Sequence, residues 1–146
     1  AAIQSNPNSA LAYFHRGFVK SMGFWPEQAI ADLEIATKLS PLDPGLQTRF
    51  PIGAWAQLRT GEYAGAVEWA ERGVREMRSH CWSAIDAACG YVALGMQAKA
   101  EKLMKEALNR KPDLCRASLI ENMDYLEDEN HKRWFLDCLQ QVGLPD

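Results

Sequence analysis

Small and apolar residues recur along this chain with a period of 34 residues. Gly61 and Gly95 lie 34 residues apart, and each is followed five residues later by an alanine, Ala66 or Ala100. An earlier copy begins at Gly23 and carries three extra residues, which the turn-forming stretch 40–45 can absorb. Within each copy, small and apolar residues continue at helical spacing. The pattern predicts repeated pairs of helices.

The same pattern, with its prolines and glycines, gives a coarse map of the helices. We expect helices at about 9–22, 26–39, 62–77, 80–94, 97–110 and 113–125, and another after Asp43. Pro51 falls inside that last helix, where it removes a backbone hydrogen bond, so we expect a kink or a late helix start. The segment 128–142 alternates apolar and polar residues as an amphipathic helix closed by Gly143. The last two helices are predicted to cap the array.

This period resembles the tetratricopeptide repeat (TPR), whose unit is two antiparallel helices. The resemblance implies an all-α fold, a right-handed superhelix of antiparallel helix pairs, with about three repeats and C-terminal capping helices. It also implies close helix crossings at small residues: Ala29, Ala66 and Ala100, then Ala36, Gly73 and Ala107. Two departures are Arg16, where leucine is expected, and Met77-Arg78, where a repeat-ending proline is expected.

We predict one domain covering 1–146. Ala2 to Ala36 and Pro7 to Pro41 are both 34 residues apart, so 1–8 is interpreted as the end of a preceding repeat in a longer protein. The predicted units after it are repeat 1 at 9–42, repeat 2 at 43–79, repeat 3 at 80–112 and the capping helices at 113–146.

The C-terminal sequence carries a second resemblance. Phe135 to Asp146, ending in Gly-Leu-Pro-Asp, and the motif 39–44, Leu-Ser-Pro-Leu-Asp-Pro, are similar to the repeats of proteobacterial proteins in which TPRs follow a class III adenylate or guanylate cyclase domain or a winged-helix domain. This resemblance implies a regulatory or scaffolding tail of a signalling protein, with the cyclase favoured. It implies no cyclase activity in this chain, which has no cyclase domain.

Composition narrows the class of partner. The chain has 146 residues, a formal net charge of -3 and four cysteines. This charge gives no positive field for nucleic acid, and no apolar run is long enough for a membrane span. We therefore predict neither nucleic-acid nor membrane contact and a cytoplasmic location. The cysteines lie in apolar helical settings, which favours buried free thiols over disulfides.

The sequence offers few candidates for a catalytic, cofactor-binding or metal-binding site. No phosphate-binding loop, dinucleotide fingerprint, zinc-protease motif or nucleophile elbow occurs, so we predict no catalytic, cofactor or metal site. His80-Cys81 lacks further ligands at metal-binding spacing, and Asp86 lacks an acid–base partner. The acidic residues of 121–129 are interpreted as the cap of the last helix, and attraction of a basic ligand is the alternative.

The first helix of each repeat lines the concave face in the TPR family. Repeat register places twelve residues on that face: Leu11, Phe14, His15, Phe18, Ile52, Trp55, Leu58, Arg59, Trp82, Ile85, Asp86 and Cys89. They are mostly apolar, unlike the lysines and asparagines of the family's carboxylate clamp. Three interpretations are open: a groove for a partner helix or peptide, a groove filled by the chain's own last helix, or core between repeats.

These observations favour a protein–protein interaction module that presents its groove to a protein, a peptide or its own N-terminal domain. A structural or homodimerisation element, with the groove filled by the C-terminal helix, is the alternative. A small-ligand binder or enzyme would require a deep pocket with converging polar groups.

Overall fold

A computed structural model describes residues 2–23, 25–76, 81–124, 126 and 128–146. This part of the chain is helical, with no strand, so the all-α prediction is confirmed. The α-helices are α1 (Ala2–Ser5), α2 (Ala10–Met22), α3 (Pro26–Leu39), α4 (Arg49–Thr60), α5 (Tyr63–Arg75), α6 (Cys81–Ala93), α7 (Gln97–Arg110), α8 (Arg116–Asn122) and α9 (Glu129–Gln140), and a 3-10 turn spans Pro44–Leu46. Predictions that fall on Met77, Arg78, His80, Tyr125 and Glu127 lie outside the described residues.

Each helix from α2 to α7 packs against the next one in the sequence, and these contacts include the predicted pairs α2 with α3, α4 with α5, and α6 with α7. The first helices of the pairs also touch in order, because α4 contacts both α2 and α6. The small residues lie at the helix contacts as predicted. Ala29, Ala66 and Ala100 are completely buried, and a methyl group on Gly73 would overlap the Ser83 hydroxyl.

Three glycines end helices in the same way. Gly61, Gly95 and Gly143 have φ of 79°, 72° and 104°, a conformation that glycine adopts without a side-chain clash. After each glycine, a backbone N–H bonds to a carbonyl five residues back, for example Glu62 to Gln57 at 2.9 Å. Gly23 differs, since its φ is -89°. The predicted turn glycines thus share one geometry in the later repeats but not in the first.

Pro51 produces a late helix start rather than a kink. Helix α4 begins at Arg49, so Pro51 is its third residue, where the missing N–H would have no intrahelical acceptor. Arg49 is buried and binds the preceding loop, with Nη2 donating to the Pro41 carbonyl at 2.7 Å. The helix expected directly after Asp43 is therefore replaced by the 3-10 turn at 44–46.

Arg16, the departure from the repeat pattern, has a structural partner. Its guanidinium donates two hydrogen bonds to the buried carboxylate of Asp32 on α3, at 2.7 and 2.5 Å. Lys20 Nζ lies 3.0 Å from the same carboxylate. Burial alone would raise the pKa of Asp32, but the bonds from both cations outweigh it and lower that pKa. At this position of the α2–α3 contact, an ion pair replaces the leucine packing that was expected.

The C-terminal segment packs against the helical array through α9, which contacts α6. Asp128 caps α9 by accepting a hydrogen bond from the His131 N–H at 2.9 Å, which confirms the capping interpretation for this member of the acidic cluster. Beyond Gly143, Leu144 is buried and the Pro145 carbonyl accepts the Arg116 N–H at 2.7 Å. The final Gly-Leu-Pro-Asp segment therefore packs against the start of α8.

Candidate functional site

A half-open cavity of about 390 Å³ lies between α2, α4 and α6. We call it the central cavity. Its lining is apolar apart from a few polar side chains, and a volume of this size is within the range of ligand pockets. The described lining residues are Phe14, His15, Phe18, Met22, Thr48, Pro51, Ile52, Trp55, Trp82, Asp86, Met123 and Leu126.

Helical spacing explains why these side chains meet. Phe14, Phe18 and Met22 are four residues apart on α2, so they follow one face of that helix. Ile52 and Trp55 occupy the corresponding face of α4, and Trp82 and Asp86 that of α6. Because α2, α4 and α6 lie side by side, the three faces form one wall.

Seven predicted groove residues line this cavity: Phe14, His15, Phe18, Ile52, Trp55, Trp82 and Asp86. The sequence reasoning missed Met22, Thr48 and Pro51, each one helical turn from a predicted residue, so extending the register by a turn would have found them. Met123 and Leu126 come from the segment between α8 and α9, which the repeat register does not reach.

The other five predicted residues lie outside the central cavity. Leu58, Ile85 and Cys89 are buried in the core, and Leu11 is 53% exposed at the outer edge of α2. Arg59 donates hydrogen bonds to the Ser21 and Gly23 carbonyls at 2.6 and 2.7 Å, so it secures the end of α2.

Helix α9 covers one part of the face formed by the first helices. The Phe135 ring meets the Trp55 ring edge-on at 5.1 Å between centroids, and Trp134 stacks on Tyr63 at 5.7 Å. The Cys89 thiol on α6 contacts Cys138 on α9, and burial raises the pKa of Cys89 well above its usual value. Thus α9 occupies one end of the face, and the central cavity is the end it leaves uncovered.

Asp86 is the notable polar group of the cavity. It is only 2% exposed, and its Oδ1 has no hydrogen-bond partner within the described part of the chain. Burial raises the pKa of Asp86 well above its ordinary value, because the charged form has lost its water without gaining a cation.

His131, which is partly buried, and the buried Trp55 form a polar pair at the cavity. Their ring centroids are 4.9 Å apart at 80°, and neither His131 Nε2 nor Trp55 Nε1 has a hydrogen-bond partner among the residues described. Burial lowers the pKa of His131 to about 4; nearby Asp128 opposes this shift and Arg59 adds to it. The imidazole is neutral at pH 7.

No group of three or more metal-ligating side chains was found in the described ranges. The four cysteines, all within the described ranges, form no disulfide; Cys81, Cys89 and Cys138 are buried, as the sequence predicted, and Cys115 is partly exposed. None of the helices described has the length and hydropathy required to cross a bilayer.

Comparison with known proteins adds no relative: no protein-family model, curated protein or solved structure matches this chain. The function must therefore be argued from the geometry of the cavity.

Proposed function

We propose that this chain is a protein-interaction module of the TPR type, which binds an apolar segment of a partner protein in the central cavity. The observation that carries the proposal is the open apolar wall. Aromatic side chains from α2, α4 and α6 line a cavity of about 390 Å³ that α9 does not cover. A wet apolar surface is unfavourable, and aromatic residues in such a setting are frequent binding hot spots.

The 34-residue period and the sequential helix pairs support the TPR-type assignment. A place in a bacterial signalling protein with a cyclase domain is a prediction from the C-terminal sequence resemblance alone. Asp86 would bring a buried polar contact to a mostly apolar groove.

The test uses an array of immobilised nonapeptides of varied sequence, probed with the labelled full chain. Phe18 is partly exposed and lines the cavity, so Phe18→Ala should weaken binding about tenfold with little loss of stability. Val19→Ala is the matched control, because Val19 is the next residue, is 61% exposed and does not line the cavity. Equal binding by both variants, or no binding to any peptide by the wild type, would reject the proposal.

Homodimerisation is the second candidate, and a separate observation favours it. Leu11, Val19 and Trp25 are each more than half exposed at the α1–α3 end of the molecule. If two copies pair through this end, sedimentation equilibrium will show a dimer that Leu11→Glu dissociates. A monomer across the micromolar range would exclude this role.

A further inference from the structure

The central cavity combines two features that select a particular ligand chemistry. One is the buried carboxyl of Asp86. The other is a set of four aromatic rings around the same space, contributed by Phe14, Phe18, Trp55 and Trp82. A carboxylate attracts a cation by charge, and aromatic faces attract it through their negative π-electron density.

Among the described residues, Asp86 has no cationic partner. The salt bridges found among the described residues do not include it, and no lysine or arginine is among the described lining residues. Asp32 shows the contrast within this fold, because that equally buried carboxylate is paired with Arg16 and Lys20. Buried carboxyls are normally paired, so Asp86 is in an environment that a bound cation would complete.

Other ligand classes fit less well. An anion would find no lysine or arginine among the described lining residues, where His15 is the basic side chain, and Asp86 would repel it in the charged form. A purely apolar ligand would leave Oδ1 of Asp86 buried and unpaired. A hydrated metal ion would meet one carboxyl, the His15 imidazole and the Thr48 hydroxyl among mostly aromatic and aliphatic groups, which is a poor ligand set.

We propose that the central cavity accepts the cationic end of a lysine or arginine side chain from the partner segment, with Asp86 as its counter-ion. The apolar stem of that side chain packs between the rings of α2, α4 and α6. This inference rests on the proposed peptide-binding function and specifies which residue the partner must supply.

In the experiment, each peptide of the array is synthesised in two forms, with lysine or norleucine at the central position. Norleucine keeps the four-carbon stem and lacks the ammonium group. Wild-type protein should bind the lysine forms about tenfold more tightly than their norleucine partners. Asp86→Asn, which keeps the side-chain shape, should remove this difference. Asp113→Asn is the charge-matched control, since Asp113 is exposed and lies outside the cavity.

The outcomes separate the two proposals. Equal binding of both forms by the wild type would overturn the cation proposal and leave the peptide-binding function standing, and this comparison does not depend on folding of the Asp86 variant. A lysine preference that persists in a folded Asp86→Asn protein would also overturn it.

A free amine distinguishes the source of the cation. Isothermal titration with 4-phenylbutylammonium supplies the same charge and an aromatic stem without a peptide. If this amine binds the wild type but not Asp86→Asn, while no peptide binds, the cavity is a small-molecule site and both proposals are wrong. If neither amine nor peptide binds, both are likewise rejected.

Discussion

Asp32 is a residue whose charge is matched from within the fold. Arg16 and Lys20, four residues apart on α2, both reach this buried carboxylate on α3. Arg16 is half exposed and Lys20 partly exposed, so solvent screens each interaction and a single pair contributes modestly. Loss of both cations should destabilise the fold much more, because the Asp32 carboxylate would then be buried without a partner.

We predict that Arg16→Ala and Lys20→Ala each lower the free energy of unfolding by about 1 kcal/mol, since the other cation still pairs with Asp32. The double variant should lose at least about 1 kcal/mol more than the sum of the two. Urea unfolding of the four proteins measures this coupling. Adding Asp32→Asn to the double variant should restore part of the loss; strictly additive losses would show that Asp32 is solvated.

His131 is a residue whose neutrality depends on burial. Its pKa is lowered to about 4 in the folded protein, against about 6.5 in an unfolded chain. The unfolded state therefore binds the proton first as the pH falls. The stability that His131 contributes is present above pH 6.5 and is lost as the pH falls toward 4.

We expect His131→Phe, which keeps a ring beside Trp55 and Trp134, to remove this pH dependence. Relative to the wild type, the variant should be more stable at pH 4.5 than at pH 7.5 by about 1–2 kcal/mol, a figure reduced for the partial exposure of the imidazole. Urea unfolding of both proteins at the two pH values provides the measurement. Asp86 gives the unfolding free energy a pH dependence of the opposite sign. This contribution is the same in both proteins, so it cancels from the difference between them. If the unfolding free energies of the two proteins changed by the same amount between these pH values, the expectation would be wrong.

At the scale of elements, small residues decide how closely neighbouring helices approach. Gly73 on α5 faces Ser83 on α6 and Phe50 on α4, and a Cβ at Gly73 would lie 2.8 Å from the Phe50 Cβ and overlap the Ser83 hydroxyl. A Cβ at Gly65, on the same helix, would meet only the end of the flexible Gln57 side chain.

Gly73→Ala should therefore lower the free energy of unfolding by about 1–3 kcal/mol, although alanine favours the helix by about 1 kcal/mol. Gly65→Ala is the matched control and should be neutral or stabilising by up to about 1 kcal/mol, because the Gln57 amide can rotate away. Thermal unfolding followed by circular dichroism compares the two. Equal melting temperatures would show that the α5–α6 contact is looser than described.

For the whole molecule, α9 determines how much of the apolar face is available. Phe135 is completely buried and packs edge-on against Trp55, which also borders the central cavity. The helix is therefore part of the core and at the same time one boundary of the site.

Phe135→Ala should cost about 3–5 kcal/mol of unfolding free energy, as large-to-small changes in a core do. It should also shift tryptophan fluorescence to longer wavelength as Trp55 becomes hydrated. Arg133→Ala, at an exposed position of α9, should change neither quantity by much. A Phe135 variant with wild-type stability would mean that α9 detaches readily and that the whole face can open.

The sequence by itself determined the helices and their order. The 34-residue period, the glycines at 61, 95 and 143 and the prolines specify local backbone geometry, so helix ends such as those of α3 and α7 could be predicted closely. Pro51 was compatible with either a kink or a late helix start. The late start is observed, because a proline in the first turn of a helix loses no hydrogen bond.

Only the tertiary structure decided which groove residues are accessible. Trp82, Asp86 and Cys89 follow one another on α6 at helical spacing, yet Cys89 contacts α9 while Trp82 and Asp86 line the cavity. Periodicity assigns a residue to a face of its helix, but it carries no information on which distant segment covers that face. That depends on long-range packing of α9. The cavity, and a carboxyl in it that has no cationic partner among the described residues, could therefore be found only in the folded chain.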